Sequence, residues 1–225
     1  LWSNSDTNQE ISVAPTTTTT YTVTVTDDNG CTAQASQEIT PSTNATAIAS
    51  INNNAAMSFN GTDQYVDAGN DTSLQITGNI TISAWVNIGT LSSTMRIVNK
   101  DDGSNRAWIM LVTGGKVRFT RFYTASSFHY MDSSVNINDS AWHHIVCVND
   151  STGTAKIFID GSEDTATTGT NTGSVLYNAA VNLKIGGGFT SQYFNGSIDE
   201  VAIWDSALSS CDIKGIHDAT TTVNG

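Results

Sequence analysis

The tripeptide Phe-Asn-Gly occurs twice in this chain, beginning at Phe59 and at Phe194, and both copies lead into strand-like segments. Oxygen-bearing groups cluster around them. Calcium takes about six to eight oxygen ligands, which are commonly Asp carboxylates mixed with loop carbonyls. A first candidate calcium site joins the two segments through Asn60, the carbonyl of Gly61, Asp63 and Asp199. The alternative is that Asp199 only accepts backbone N–H hydrogen bonds where the two strands meet.

The two copies do not mark an internal repeat, because the segments TDQYVDAG and SIDEVAIWD that follow them diverge at once. In a β-sandwich whose terminal strands pair, the start and the end of the domain lie side by side. We therefore predict that the two tripeptides meet in space. Each Gly then permits a close approach where its strand begins.

Carboxylates that could hydrolyse a glycoside are not paired in this sequence. Retaining glycosidases hold a nucleophile and an acid about 5 Å apart. The acids of SIDEVAIWD do not suit this geometry, because Asp199 and Glu200 fall on opposite faces of the predicted strand and Asp205 lies at its end. The sequence therefore predicts no catalytic residues.

Aromatic side chains near strand ends could bind carbohydrate, since a ring can stack on the apolar face of a pyranose while Asn, Asp and Gln surround it. Most aromatic residues of a sandwich belong to its core, so packing is the competing interpretation for each of them. The segment FYTASSFHYMD is the least typical of a core, because its apolar residues do not alternate cleanly. The candidate ligand-binding residues are Trp108, Tyr123, Phe128, Tyr130, Phe189, Gln192 and Tyr193.

Strand patterns follow one another from residue 55 onward. NITISAWVNI places Ile80, Ile82, Ala84, Val86 and Ile88 on one face, and RAWIMLVTGGKVRFTRFY is typical of two strands around a Gly-Gly turn. AWHHIVCVND and AKIFIDG form the next predicted pair, and NLKIGG and SIDEVAIWD complete the series. Short strands separated by turn signals predict an all-β, antiparallel jelly-roll β-sandwich. Only LSSCDIKGIHD indicates a helix, with Ser209 or Ser210 as its cap.

The first 40 residues differ in composition from the rest of the chain, because they are rich in threonine. QEISVAP, TYTVTVT and CTAQASQEI are typical of strands, and the Asn-Gly of DDNG favours a hairpin between the last two. This segment resembles the closing half of the immunoglobulin-like or PKD-like repeats of bacterial adhesins. We therefore expect a partial β module at 1–40, a linker at 41–54 and the jelly-roll domain at 55–225, with the parent protein continuing before residue 1.

The order of motifs after the linker resembles the concanavalin A-like laminin-G/pentraxin superfamily, in particular its bacterial and viral LamG-like branch. The motifs are AMSFNGTDQYVDAG, ITISAWVNI, RIVNKDDGSNRAWIMLV, GKVRF, DSAWHHIVCVND, GTAKIFIDG, LKIGG and FNGSIDEVAIWDSALS. The resemblance implies structural positions for Trp85, Trp142 and Trp204, and a strand start rather than a catalytic histidine at WHH. Related sandwiches place a structural ion near the joined ends, and Asp199 matches the most regular acid of the family.

The same resemblance implies a second, weaker calcium candidate at the rim of the sandwich, where laminin-G domains and pentraxins bind calcium and ligand together. Its ligands would be Asp101, Asp102 and Asn105, in the loop NKDDGSN. The facing loop after LKIGG is GFTSQY, which lacks a carboxylate. This departure from the family pattern predicts weak binding, and a solvated turn is the alternative.

Composition restricts the partners. The formal net charge is -12 and only nine residues are Lys or Arg, which argues against nucleic acid because phosphate binding needs clustered cations. No apolar run approaches the ~20 residues of a membrane-spanning helix. Cys147 alternates with Ile145 in a strand and is expected to be a buried thiol.

Together these features predict a non-catalytic extracellular module that binds a glycan, as part of a larger surface adhesin or a virion fibre. The alternative is a purely structural spacer or decorating domain that packs against neighbouring domains or subunits. A glycoside hydrolase, a function found among relatives with this fold, would need acids that the strands do not offer.

Overall fold

The computed structural model describes residues 2–5, 7–8, 17–26, 30–39, 56–124, 126–150, 152, 154–165, 167–169 and 180–221. The chain divides into two units, residues 1–45 and residues 46–225. The predicted linker at 41–54 lies outside the described residues.

The first unit contains a two-stranded antiparallel sheet. Strand β1 (Thr19–Thr26) pairs with β2 (Thr32–Ile39), as the predicted hairpin requires, and Trp2 forms a single bridge to Val23. Val25 is 61% exposed, so the alternating apolar residues of β1 do not form a buried face among the described residues. The first predicted strand, QEISVAP, lies outside those residues.

Within its described residues the second unit consists of strands, one short 3-10 helix (Thr72–Leu74) and one α-helix. The elements are β3 (Met57–Asn60), β4 (Val66–Gly69), β5 (Ile80–Ile88), β6 (Thr94–Asp101), β7 (Arg106–Thr113), β8 (Lys116–Phe122), β9 (Phe128–Asn136), β10 (Trp142–Asn149), β11 (Ala155–Ile159), β12 (Ser162–Glu163), β13 (Thr168–Gly169), β14 (Leu183–Ile185), β15 (Asn195–Trp204) and α1 (Ser210–Thr221). Strands β7 and β8 flank the Gly-Gly turn, and β10 pairs with β11, as predicted.

The strands form two antiparallel sheets. The six-stranded sheet has the order β12-β11-β10-β5-β15-β3, and the seven-stranded sheet has the order β13-β9-β8-β7-β6-β14-β4. One apolar core holds residues from both, including Ile82 and Ile145 from the first sheet and Met110 and Phe119 from the second. The predicted all-β, antiparallel jelly-roll sandwich is confirmed. Cys147 is a buried member of this core, as predicted.

Strand β5 shows how alternation specifies this packing. Its predicted apolar face is confirmed, since Ile80, Ile82, Ala84, Val86 and Ile88 all lie in the core. The opposite face is also buried, because α1 lies across it. Nε1 of Trp85 donates to Oγ1 of Thr220 at 2.9 Å, and Ile213 packs with Val146, Val148 and Phe158. The six-stranded sheet is therefore covered on both sides in this region.

Of the two predicted caps of α1, Ser209 is the one that makes the capping hydrogen bonds. Its Oγ accepts the N–H of Asp212 at 3.2 Å, and Oδ2 of Asp212 accepts the N–H of Ser209 at 3.0 Å. This reciprocal pair satisfies donors that a helix N-terminus otherwise leaves exposed. No helix among the described residues is long and apolar enough to cross a membrane.

The two Phe-Asn-Gly segments meet, as predicted. Strand β3 pairs with β15, and Asn60 lies opposite Asn195. The rings of Phe59 and Phe194 pack edge to face, with centroids 6.5 Å apart. The first and last strands of the domain are therefore neighbours, and the repeated tripeptide marks their junction.

Candidate functional site

A small apolar strip lies on the outer side of the seven-stranded sheet. Ile109, Leu111 and Phe122 are buried together, apart from the core between the sheets. Their neighbours Trp108 and Met110 belong to that core. Because successive side chains of a strand point to opposite faces, Ile109 and Leu111 face outward from the sandwich.

Arginines on three strands border the strip. Leu111 lies opposite Arg96 in β6 and opposite Arg118 in β8. Arg106 begins β7, and its guanidinium carbon lies 4.9 Å from the ring centroid of Phe122. We name the strip and its border the arginine face. Its members are Arg96, Asp101, Arg106, Ile109, Leu111, Arg118, Phe122, Phe128, Tyr130, Asp132, Phe189 and Gln192.

Arg96 and Arg106 share one carboxylate. Nη2 of Arg96 lies 2.6 Å from Oδ2 of Asp101, and Nε of Arg106 lies 3.1 Å from Oδ1 of the same residue. Burial lowers the pKa of Arg96, although its pairing with Asp101 opposes this shift. Since an arginine stays protonated in proteins, the three side chains together carry one net positive charge.

Further contacts fix Arg96 and tie it to the segment after β14. Its Nε donates to Oε1 of Gln192 at 2.8 Å, and its Nη1 donates to Oδ1 of Asn99 at 3.0 Å. The ring of Phe189 stacks on the guanidinium, 4.6 Å from its carbon to the ring centroid. Phe189 and Gln192 therefore form one wall beside the strip.

The opposite wall is built on β8 and β9. Nε and Nη2 of Arg118 donate to the two carboxylate oxygens of Asp132 at 2.6 and 2.8 Å, and these bonds raise the pKa of Arg118. The guanidinium carbon of Arg118 lies 4.2 Å from the ring centroid of Tyr130. Tyr130 is 37% exposed and Phe128 is 46% exposed, so both rings remain accessible to a ligand.

The rim calcium candidate is wrong in its use of Asp101. That carboxylate is fully buried and paired with two arginines, so it has no coordination position for a metal. Asp102 accepts the N–H groups of Ser104 and Asn105 through Oδ1, and the side-chain amide of Asn105 through Oδ2. Hydrogen bonds from Asn105 hold the pKa of Asp102 below its ordinary value. These residues therefore form a turn in which the carboxylate of Asp102 accepts hydrogen bonds from the turn itself.

The first calcium candidate is not brought together either. Asp199 lies four residues beyond Asn195, the partner of Asn60, which is about 13 Å along a strand. Its Oδ1 accepts the N–H of Glu200 at 2.9 Å, which is a bond to the next residue of the same strand and not one across the strand junction. The side chain of Asn60 donates to Asp63 at 2.8 Å. One ion cannot join these groups, because the strand register separates them.

No group of three or more His, Cys, Asp or Glu within the described part of the chain could hold a metal ion. Calcium binding therefore stays a prediction, now without an assembled set of ligands. A Cβ added at Gly61, the other proposed ligand, would lie 2.8 Å from the side chain of Asn195.

The structure places the candidate ligand-binding residues in three different surroundings. Phe128, Tyr130, Phe189 and Gln192 lie together on the arginine face. Trp108 is wrong as a ligand-binding residue, because it is 1% exposed and packs in the core. Tyr123 packs against His129, and Tyr193 lies beside Tyr65 at the β4 side of the sheet. Trp142, expected in a structural position, is 42% exposed.

The arginines themselves were not among the sequence candidates. The segment KVRF alternates Lys116 and Arg118 with Val117 and Phe119, and the latter two lie in the core. Such alternation of cationic with apolar residues indicates a charged outer face on a strand whose other face is buried. Arg96 and Arg106 give no such signal, because they become neighbours only through the pairing of β6 with β7.

A serine–histidine pair lies on the six-stranded sheet. Oγ of Ser83 is 2.8 Å from Nε2 of His144, a distance found between a nucleophile and its base. Both residues are buried, and the rings of Trp85 and His217 pack beside His144. Nδ1 of His144 has no hydrogen-bond partner among the described residues, so no third group orients the ring. A hydroxyl buried in this way cannot reach a substrate.

Comparisons with known proteins agree with this architecture. Sushi, von Willebrand factor type A, EGF and pentraxin domain-containing protein 1 of Rattus norvegicus is 28% identical over 155 residues, which is 61% of this chain and 4% of that protein. The chain thus spans a small fraction of this relative.

Solved structures resemble the fold at low identity. The CBM40 domain of the Ruminococcus gnavus IT-sialidase, bound to α2,3-sialyllactose, has a TM-score of 0.58 at 14% identity, over 72% of this chain and 95% of that chain. The binding domain of Paraclostridial Mosquitocidal Protein 1 has a TM-score of 0.61 at 14% identity, over 72% of this chain and 42% of that chain.

The family model described as the concanavalin A-like lectin/glucanases superfamily matches residues 60–214. This range begins at the end of β3 and ends within α1, so it includes both sheets. The chain belongs to the concanavalin A-like lectin/glucanases superfamily.

Proposed function

We propose that the second unit is a non-catalytic glycan-binding module and that the arginine face holds the glycan. The observation that carries this proposal is the combination of an outward apolar strip with two accessible rings and fixed guanidinium donors. The two carboxylates among the described residues of this face, Asp101 and Asp132, are each paired with arginine.

The chemistry of a sugar suits such a surface. A pyranose ring has an apolar C–H face, which can stack on Tyr130 or Phe128, and hydroxyl groups, which can accept hydrogen bonds from guanidinium N–H groups. The walls are held by ion pairs and stacking before a ligand arrives, so little side-chain entropy is lost on binding. The CBM40 domain that shares this fold was solved with a bound sialylated sugar, which supports the same class of ligand here.

We infer that the two units are part of a larger extracellular protein, either a surface adhesin or a virion fibre, in which the threonine-rich first unit is an immunoglobulin-like spacer. The partial match to a much longer relative supports a modular parent.

Tyr130→Ala should weaken glycan binding about three- to tenfold, because an aromatic contact contributes about 0.5–1.5 kcal/mol beyond its buried area. The measurement is a glycan array to find the ligand, followed by titration calorimetry of the wild type and the variant. Tyr130 lies on the outer side of a strand and is partly exposed, so the substitution should leave the fold intact.

Trp142→Ala is the matched control, since it removes an exposed aromatic ring from the six-stranded sheet. It should leave the affinity unchanged. Equal losses in both variants would place the ligand elsewhere. A folded domain that bound no glycan on the array would favour the purely structural alternative.

A further inference from the structure

We propose that the arginine face selects acidic glycans, with Arg106 binding a carboxylate or sulfate group of the sugar. This inference rests on the proposed function and names the class of ligand for the same surface. It follows from the distribution of charge over the two sheets and from the unused donors of the arginines.

The cations and the carboxylates are distributed unequally between the two sheets. The chain has nine Lys and Arg against 21 Asp and Glu. Seven of the nine cations lie in strands of the seven-stranded sheet, whose strands hold only three carboxylates. The strands of the six-stranded sheet hold one cation and three carboxylates. Lys100 and Arg121 are buried and donate to groups inside the domain. The other five cations and the three carboxylates leave this sheet with a formal surplus of two positive charges in a protein of strongly negative charge, and this favours an anionic ligand.

Arg106 is a part of that surplus that a ligand can reach. Its Nε pairs with Asp101 and donates to the carbonyl of Gly103 at 3.0 Å. Its two Nη groups have no acceptor among the described residues. The side chain is 27% exposed, whereas Asp101 is buried and already neutralised by Arg96. The second positive charge of the trio is thus left for an anion from outside.

The geometry prepares Arg106 for that contact. Its guanidinium rests on the ring of Phe122, which in turn packs against Phe128 with ring centroids 5.4 Å apart. A guanidinium presents paired N–H donors that match the two oxygens of a carboxylate or sulfate. An acidic group at Arg106 would therefore lie beside the rings that stack on the sugar. Arg118 adds a second donor, since its Nη1 has no partner in the described part of the chain.

The test uses a glycan array printed in matched pairs, each carboxylated or sulfated glycan beside its neutral parent. The wild-type second unit, carried on the full chain, should bind the acidic member at least about tenfold more tightly, which corresponds to one charge-assisted contact. This preference should shrink as the salt concentration rises. A preference for the acidic member among the carboxylated pairs only, or among the sulfated pairs only, would support the inference and identify the anion.

Arg106→Gln should bring the ratio of acidic to neutral binding close to one. Lys156→Gln, which removes a cation that is paired with Glu163 on the six-stranded sheet, should keep the ratio. Equal wild-type binding of the two members of each pair would overturn the inference and leave the proposed function standing. Absence of binding to every glycan would overturn both. If Arg106→Gln does not fold, the wild-type ratio and its salt dependence still decide the question.

Discussion

His143 and His144 are neighbours in β10, yet their pKa values shift in opposite directions. Burial lowers the pKa of His144 to about 4, and the nearby His217 adds to this effect. Burial also lowers the pKa of His143, but hydrogen bonds to Asp160 and Asp139 outweigh it, and the net shift is upward. Adjacent side chains on opposite faces of one strand therefore respond to acid in opposite ways.

Acid should destabilise the second unit through His144. A histidine in an unfolded chain binds a proton near pH 6.5, whereas folded His144 does so near pH 4. Between these values the unfolded state binds more protons, so stability falls as the pH drops. The loss should reach about 2 kcal/mol at about pH 5. Urea unfolding of wild type and His144→Gln at about pH 7 and about pH 5 measures it, and the variant should lose less.

His143→Gln, a substitution at the neighbouring residue, is the control for the acid response of His144. The raised pKa of His143 makes it a stabilising group that is fully present below its unfolded pKa and lost as the pH rises through its folded pKa. Its removal should make the acid loss larger. If His144→Gln loses as much stability as the wild type, the acid response has another source.

The sequence predicts for some residues, but not for others, whether the side chain faces the core. The inward face of β5 was predictable because five apolar residues alternate with others. Trp108 was not, because β7 is apolar on both of its faces, and alternation then gives no signal for which side is the core. The outward arginines were missed for a related reason, since their meeting depends on the order of strands.

The junction of β3 with β15 depends on a glycine. Gly61 has a φ of +74°, and a Cβ built there would lie 2.8 Å from the Cβ of Asn195. Gly61→Ala should therefore destabilise the second unit by about 1–2 kcal/mol from the backbone conformation alone. The midpoint of urea unfolding measures this loss.

Gly78→Ala is the matched control, because a Cβ at Gly78 meets nothing within 4 Å and its backbone is not in the left-handed region. It should have little effect on stability. If the two variants proved equally stable, the close approach of the first and last strands would not be what holds this junction.

Elements were predictable where a local rule determines them. The Gly-Gly turn between β7 and β8 and the cap of α1 are both readable from a few adjacent residues. Strand β9 was not predicted as a strand, because its exposed Phe128 and Tyr130 stand where a polar residue is expected on an outer face. That departure from the usual pattern is also what makes β9 a wall of the arginine face.

The whole molecule has a charge asymmetry that its composition conceals. A net charge of -12 with nine cations suggested that cations are too sparse to cluster, yet the fold gathers most of them on one sheet. The order of the strands produces this clustering, because β6, β7 and β8 are adjacent. Composition does not show this clustering, because it counts charges without the pairing of β6 with β7 and of β7 with β8 that brings them together.

The most direct test of the glycan-binding face is an NMR titration of the second unit, within the full chain, with the tightest ligand from the array. The largest amide shift changes should fall on β7, β8 and β9 and on the segment 189–192, with those of Arg106 and Tyr130 among them. Changes centred on Trp142 or on the first unit, with the arginine face unaffected, would contradict this expectation.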